Sequence, residues 1–247
     1  MLAQIDGDLI TYPCAASCKE NDPFDVAKYR MEEKLREILD TVQATEFKIF
    51  LSSNNFRKTL FQSYKANRDN LERPKHLEAC REYLVYEWNA ILKTPYEADD
   101  LLGIYQTDET ILCSYDKDLR MIPGKHYNWN KKIFETVDLQ TGLKHFYKQM
   151  LIGDSSDNII GINGIGKVKA DKIISPLNTE QEMFDTVYDL YTKHNIQDSF
   201  LMNGICLWIL RNEEETWAHR LLDLTLPNPL QQQVEAALNS MKYLWDT

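Results

Sequence analysis

Thr110-Ile111-Leu112-Cys113-Ser114-Tyr115-Asp116-Lys117-Asp118 sets the fold class. Its first residues read as a buried strand, and two carboxylates follow at once. In an open α/β sheet, ligands meet the protein at the carboxyl ends of the strands. Asp116 and Asp118 flank Lys117 there, where both can turn toward a common cation. Helix capping explains one Asp in such a loop, but explains two less well.

The pattern recurs upstream. Residues 2–6 read as a short strand ending at Asp6-Gly7, and Phe47 to Leu51 as a second buried strand. Between them, Val26, Tyr29, Leu35, Ile38, Leu39 and Val42 carry the spacing of an amphipathic helix over 24–43. Residues 53–75 are polar and basic, without an apolar stripe. Helical spacing resumes at Leu77, Cys80, Leu84, Trp88 and Ile91. Glu97 to Tyr105 reads as a helix whose acidic first turn suits the helix dipole. Residues 141–152 read as helical, and the chain from there to Trp245 as mostly helical, broken at Pro227 and Pro229. Alternating strands and helices predict an α/β fold with a mainly parallel sheet covered on both faces.

Four acidic clusters are laid over this plan: Asp6; Glu97, Asp99 and Asp100; Asp116 and Asp118; Asp154 and Asp157. Carboxylates gathered at one place repel unless a hard cation lies between them. Oxygen-only ligands suit Mg²⁺ or Mn²⁺ and not zinc. On a helix, Glu97 and Asp100 lie one turn apart on one face, although acids at a solvated helix start look the same. The clusters point to metal-dependent phosphate chemistry.

The most specific segment is Gly153-Asp154-Ser155-Ser156-Asp157-Asn158, running into Ile159-Ile160-Gly161-Ile162-Asn163-Gly164-Ile165-Gly166-Lys167-Val168-Lys169. Gly161, Gly164 and Gly166 allow a phosphate to approach the backbone closely. A helix starting near Lys167 adds its positive end, and Lys167 and Lys169 add charge. A Gly-rich turn alone is weak; its place four residues after Asp157 makes it informative.

The net charge of −10 argues against a nucleic-acid partner. The charge is uneven, however. From Arg57 to Arg81 seven Lys or Arg, including Lys58, Lys65 and Arg68, face three acids, Asp69, Glu72 and Glu78. Within this strip Tyr64-Lys65-Ala66-Asn67-Arg68 offers two cations to one phosphodiester and a ring to a base; the usual fate of a charge run is an exposed loop. A basic strip beside a metal-filled acidic site is compatible with a polyanion.

The chain of 247 residues, 43% apolar, suffices for one core with a small appended subdomain. It has no apolar run long enough to cross a bilayer, which predicts no membrane partner. The first seven residues lack the marks of a signal peptide. Five unevenly spaced cysteines fit a reducing cytosol. The five histidines show no paired spacing. No Gly-x-x-x-x-Gly-Lys-Ser/Thr loop is present, which excludes a P-loop kinase.

Taken in order, Asp6-Gly7, Tyr64-Lys65-Ala66-Asn67-Arg68, Glu97-Ala98-Asp99-Asp100, Asp116-Lys117-Asp118 and the Gly153–Gly166 segment resemble the 5′ nuclease (flap endonuclease) superfamily, most nearly its stand-alone phage 5′–3′ exonucleases. The resemblance spans about residues 1–175. It implies a PIN-like α/β core over 1–140, with a helical arch at about 56–90. A helical DNA-binding region over 141–247 would carry a helix–three-turn–helix element at about 143–175. It implies two divalent ions held by Asp6, Glu97, Asp99, Asp100, Asp116, Asp118, Asp154 and Asp157, with Asp116 and Asp154 essential to catalysis. Lys65 and Arg68 would reach the scissile phosphate. Arg57, Lys58, Tyr64, Lys167, Lys169 and the glycines 161, 164 and 166 would bind DNA, with K⁺ held by carbonyls of the turn. The substrate would be duplex DNA with a 5′ end or flap, or an RNA–DNA hybrid, handled by a monomer in the cytoplasm.

One departure stands out. The superfamily usually has a further Asp at the end of the second strand. Here Phe50-Leu51-Ser52-Ser53 puts Ser52 at that place, which is expected to weaken one metal site. Two rivals remain: a non-catalytic DNA-junction binder, favoured by Ser52 alone, and a PIN-type ribonuclease, usually shorter and without the Gly-rich turn. The last seventy residues carry no readable motif, and Trp208, Trp217 and Trp245 read as core.

Overall fold

The computed structural model describes residues 1–68 and 70–245; Asp69 of the basic strip lies outside them. In chain order the elements are β1 (Leu2–Asp6), α1 (Asp8–Ala16), α2 (Phe24–Val42), β2 (Glu46–Leu51), α3 (Phe56–Leu60), α4 (Leu77–Trp88), β3 (Ile91–Leu92), α5 (Ala98–Ile104), β4 (Thr110–Cys113), β5 (Gly124–Asn128) and β6 (Ile133–Val137). They continue as α6 (Leu139–Ile152), β7 (Gly153–Asp154), β8 (Ile159–Ile160), α7 (Lys167–Ile174), α8 (Glu180–Lys193), α9 (Phe200–Leu207), α10 (Trp217–Arg220) and α11 (Asn228–Met241).

The chain forms two compact units. The first comprises residues 1–55, 71–119 and 123–137, the second 56–70, 120–122 and 138 onward. The first unit holds a sheet in the order β3-β2-β1-β4-β5-β6, parallel except for β6. Strand alternation sends Ala3, Ile5, Ile49, Leu51, Ile111 and Cys113 into one layer with Ile10, Met31, Leu35, Ile38, Cys80 and Leu84 of α1, α2 and α4. Phe50 points to the other face, where it stacks on Tyr105 at the end of α5. Where both faces are buried the strands are apolar, as at residues 49–51 and 111–113.

The register of β2-β1-β4 aligns Asp6 with Phe50 and Ile5 with Cys113. The ends of three parallel strands, at Asp6, Ser52 and Ser114, therefore share one edge. The turn after Asp6 is tight: a Cβ on Gly7 would stand 2.7 Å from the Phe50 carbonyl oxygen. Glycine there lets α1 start directly beside the edge.

The second unit is helical. Asp138 caps α6 by accepting from Thr141 N at 2.7 Å. Phe146, Tyr147, Met150, Phe184, Tyr191, Phe200, Trp208 and Trp217 fill its core. α6 packs on α7, α8 and α9. α6, the Gly-rich turn and α7 lie where a helix–turn–helix element is expected. Residues 56–70 group with this unit and not with the sheet, so the stretch 56–90, expected as one arch on the core, is divided. Its second half, α4, packs on α1 and α2 through fully buried Cys80 and Leu84.

Candidate functional site

Asp6 ends the central strand with only 2% of its surface exposed. Its carboxylate accepts from Leu9 N at 3.2 Å and from the Ser114 hydroxyl at 3.0 Å. Burial, then the charge of Asp8, push its pKa up to about 7; the two hydrogen bonds act against them, and Asp116 adds a smaller rise. Asp116 N–H takes the Ser114 hydroxyl oxygen at 3.0 Å, and Asp118 N–H takes an Asp116 carboxylate oxygen at 2.8 Å. The Asp116–Asp118 loop is thus folded back beside Asp6.

Glu97 and Asp100 behave as a reciprocal cap of α5. Glu97 accepts from Asp100 N, and Asp100 accepts from Glu97 N at 3.2 Å. Both are buried, and Asp99 is half-buried between them. This is the capping arrangement that acids at a helix start also suggest.

Asp8 was not among the expected residues, yet it is the strongest charge acting on Asp6. It accepts from Arg81 at 2.5 Å and from Ser52 N at 3.0 Å. Arg81 also donates to the Ser52 carbonyl at 2.5 Å, and Ala98 N donates to the Ser52 hydroxyl oxygen at 2.9 Å. Ser52 is therefore the hub that ties β2 to α1, α4 and the start of α5. Asp8 stands only two residues past Asp6, which was a usable signal; Arg81 lies 73 residues from its partner and gave none.

In the second unit, Asp154 is buried, and one of its oxygens accepts from both the N–H (2.8 Å) and the hydroxyl of Ser156. Asp157, expected to hold metal, is instead met by cations of the same unit. Arg68 donates to it at 2.7 Å, Lys65 Nζ lies 3.8 Å away and the Tyr64 hydroxyl donates at 3.1 Å. The backbone joins in: Lys65 N donates to the Asp157 carbonyl at 3.0 Å, Arg68 Nε to Ser156 O at 3.0 Å and Asn67 to Ser155 O at 2.9 Å, while Asn158 donates to Ser63 O at 2.8 Å. Asn67 and Asn158 had not been singled out for this. The segment 63–68 is latched to 155–158.

Three expected DNA contacts need correction. Arg57 is 2% exposed and donates to the carbonyls of Cys206 (2.9 Å) and Trp208 (2.6 Å), so it braces the helical core. Tyr64 is 2% exposed and cannot offer a ring face to a base. Gly161 faces its own chain: a Cβ there would lie 2.2 Å from the Ile152 carbonyl carbon. Lys58, Lys167 and Lys169 are exposed. Gly164, at φ +79°, and Gly166 face open space.

The donor set of the first unit suits a hard divalent cation: oxygen ligands only, one of them a buried carboxylate crowded by like charges. Among the described residues, no three ligating side chains already surround one point.

No family model matches the chain. It is 29% identical over 145 residues to the exonuclease of Escherichia phage T7, covering 53% of this chain and 47%, about half, of that protein. It is 26% identical over 209 residues to the flap endonuclease Xni of a Shewanella species, covering 76% and 79%. The fold matches that of the bacteriophage T5 flap endonuclease, solved with DNA and metal ions, at a TM-score of 0.53 and 15% identity, covering 97% and 98%. In sequence the chain is similar to 5′–3′ exonucleases and flap endonucleases, and in fold to the T5 enzyme. Ser52, where the resemblance leads one to expect an Asp, holds the carboxylate of Asp8 through its backbone N–H.

Proposed function

We propose that the chain is a divalent-metal-dependent 5′ nuclease, hydrolysing DNA phosphodiesters from or near 5′ ends as a 5′–3′ exonuclease. The observation that carries this is Asp6: a buried acid at the end of the central strand, crowded by Asp8 and Asp116. Burying such a group is costly unless a cation compensates it.

In this reading Asp6, Glu97, Asp99, Asp100, Asp116 and Asp118 hold Mg²⁺ or Mn²⁺. The motif gives Asp154 a metal-holding role as well, with two ions in all. Bound divalent ions supply Lewis acidity to the attacking water and to the departing 3′ oxygen. The remaining work falls to side chains. Lys65 and Arg68 would meet the scissile phosphate and offset charge growing on its oxygens. To do so they must exchange Asp157 for the phosphate, so Asp157 is assigned to holding these two cations and not to an ion. Gly164, Gly166, Lys167, Lys169 and the positive end of α7 would grip a duplex backbone, with K⁺ at the turn carbonyls. Lys58 would extend the basic surface. The enzyme would act as a monomer in the cytoplasm, with RNA–DNA hybrids and 5′ flaps as further substrates.

Ser52 favours the alternative of a non-catalytic junction binder. Digestion of 5′-labelled duplex, flap and hybrid substrates side by side, with Mg²⁺ or with chelator, separates these readings. Products released only with Mg²⁺ support a nuclease, and their distribution gives its mode. Binding without product in any metal supports the junction binder.

A further inference from the structure

We infer that Asp8 and Arg81 form a neutral pair that sets the cation affinity of the site around Asp6. This rests on the metal-dependent reading above and concerns its regulation by residues outside the ligand set.

Asp8 opens α1 two residues beyond Asp6, and no charge acts on Asp6 more strongly. Arg81 comes from α4 and grips the strand end from two sides, through the Asp8 carboxylate and the Ser52 carbonyl, both at 2.5 Å. The Ser52 N–H closes the ring on the second Asp8 oxygen at 3.0 Å. Both side chains are largely covered, at 21% and 31% exposure. Solvent screens such a pair less than one on an open surface. Both Asp8 oxygens are thus already engaged, which suits a positioning group better than a ligand.

Intact, the pair carries no net charge, so its field fades faster with distance than that of Asp8 alone. Breaking it exposes one unit of charge, and the sign depends on which partner goes. Asp8→Asn leaves a guanidinium that repels a divalent ion. Arg81→Met leaves a carboxylate that attracts it. In a water-like dielectric, one charge acting on a divalent ion from about a Debye length is worth roughly fivefold in affinity. A purely structural brace behaves otherwise: either deletion loosens the strand end, and both weaken binding. The pair therefore predicts opposite effects from its two halves.

The test is Mn²⁺ binding to the whole chain, followed by electron paramagnetic resonance, for wild type, Asp8→Asn, Arg81→Met, the double variant and Arg81→Lys, with circular dichroism to check folding. The expected result is weaker binding in Asp8→Asn and tighter binding in Arg81→Met, each by about fivefold. The double variant should return to within about twofold of wild type, since neutrality is restored. Arg81→Lys keeps the charge while losing the two-armed grip, and should also stay within about twofold. Weakening in both single variants overturns the inference in favour of a brace. A double variant as weak as Asp8→Asn overturns it in favour of Asp8 as a ligand. A large loss in Arg81→Lys overturns the charge argument even where Arg81→Met does not fold. Absence of Mn²⁺ binding by folded wild type would instead remove the metal-dependent reading itself.

Discussion

Two regions of this chain use aspartate in opposite ways. At the sheet edge, Asp6 is buried among like charges, while its neighbour Asp8 is paired with Arg81. In the loop after α6, Asp157 is met by Arg68, Lys65 and the Tyr64 hydroxyl. The first arrangement stores repulsion that an outside cation can relieve. The second is already compensated and works as a latch. Residue type and motif are alike in the two places, so what separates a site from a clasp is whether the fold supplies the countercharge.

The sharpest way to break this contrast is to neutralise one carboxylate in each region. Asp6→Asn should lower metal-dependent cleavage by a factor on the order of a thousand while the fold persists, as judged by circular dichroism and single-turnover kinetics. Asp157→Asn should behave differently. It should keep Mn²⁺ binding, but lower the stability of the helical unit by about 1–3 kcal/mol, read from denaturant unfolding, because Arg68 and Lys65 lose their partner. Equal loss of metal in both variants would erase the distinction.

The pH dependence of the metal-free protein sharpens it further. The Asp6 pKa is raised to about 7 in the folded chain, from 3.8 in an unconstrained one. Between these values the folded state holds a proton that the unfolded state has lost. Stability is therefore full below about pH 4 for this group and falls as pH rises toward 7, by an amount on the order of 4 kcal/mol. Chelator-treated protein should lose stability across that window, Asp6→Asn should remove that part of the slope, and Mg²⁺ should restore stability at neutral pH. The smallest effect expected is in Tyr64→Phe, which gives up one hydrogen bond to Asp157 and should cost about 1 kcal/mol, measured by the same unfolding.

Much of the sheet was legible because parallel strands buried on both faces announce themselves as apolar runs, as in Thr110–Cys113. The amphipathic spacing of α2 gave that helix almost to the residue. The hairpin of β5 and β6 did not show, since β6 carries Ile133 and Phe134 on an exposed edge and lacks the alternation that marks a half-buried strand. The basic strip misled for a different reason. Its side chains look solvated in sequence, yet Arg57 and Tyr64 are drawn inside by carbonyl and carboxylate partners more than ninety residues away. Long-range pairing of this kind, including that of Arg81 with Asp8, leaves no local pattern. The acidic clusters were readable as residues, but which of them a cap or a cation would claim depended on geometry that only the folded chain supplies.

The most direct measurement is the count of Mn²⁺ ions bound by wild type and by Asp116→Asn under the same conditions. If carboxylates at the sheet edge hold the catalytic cations, wild type binds manganese and the variant loses at least one ion or most of its affinity. Identical stoichiometry and affinity in the two proteins would contradict it.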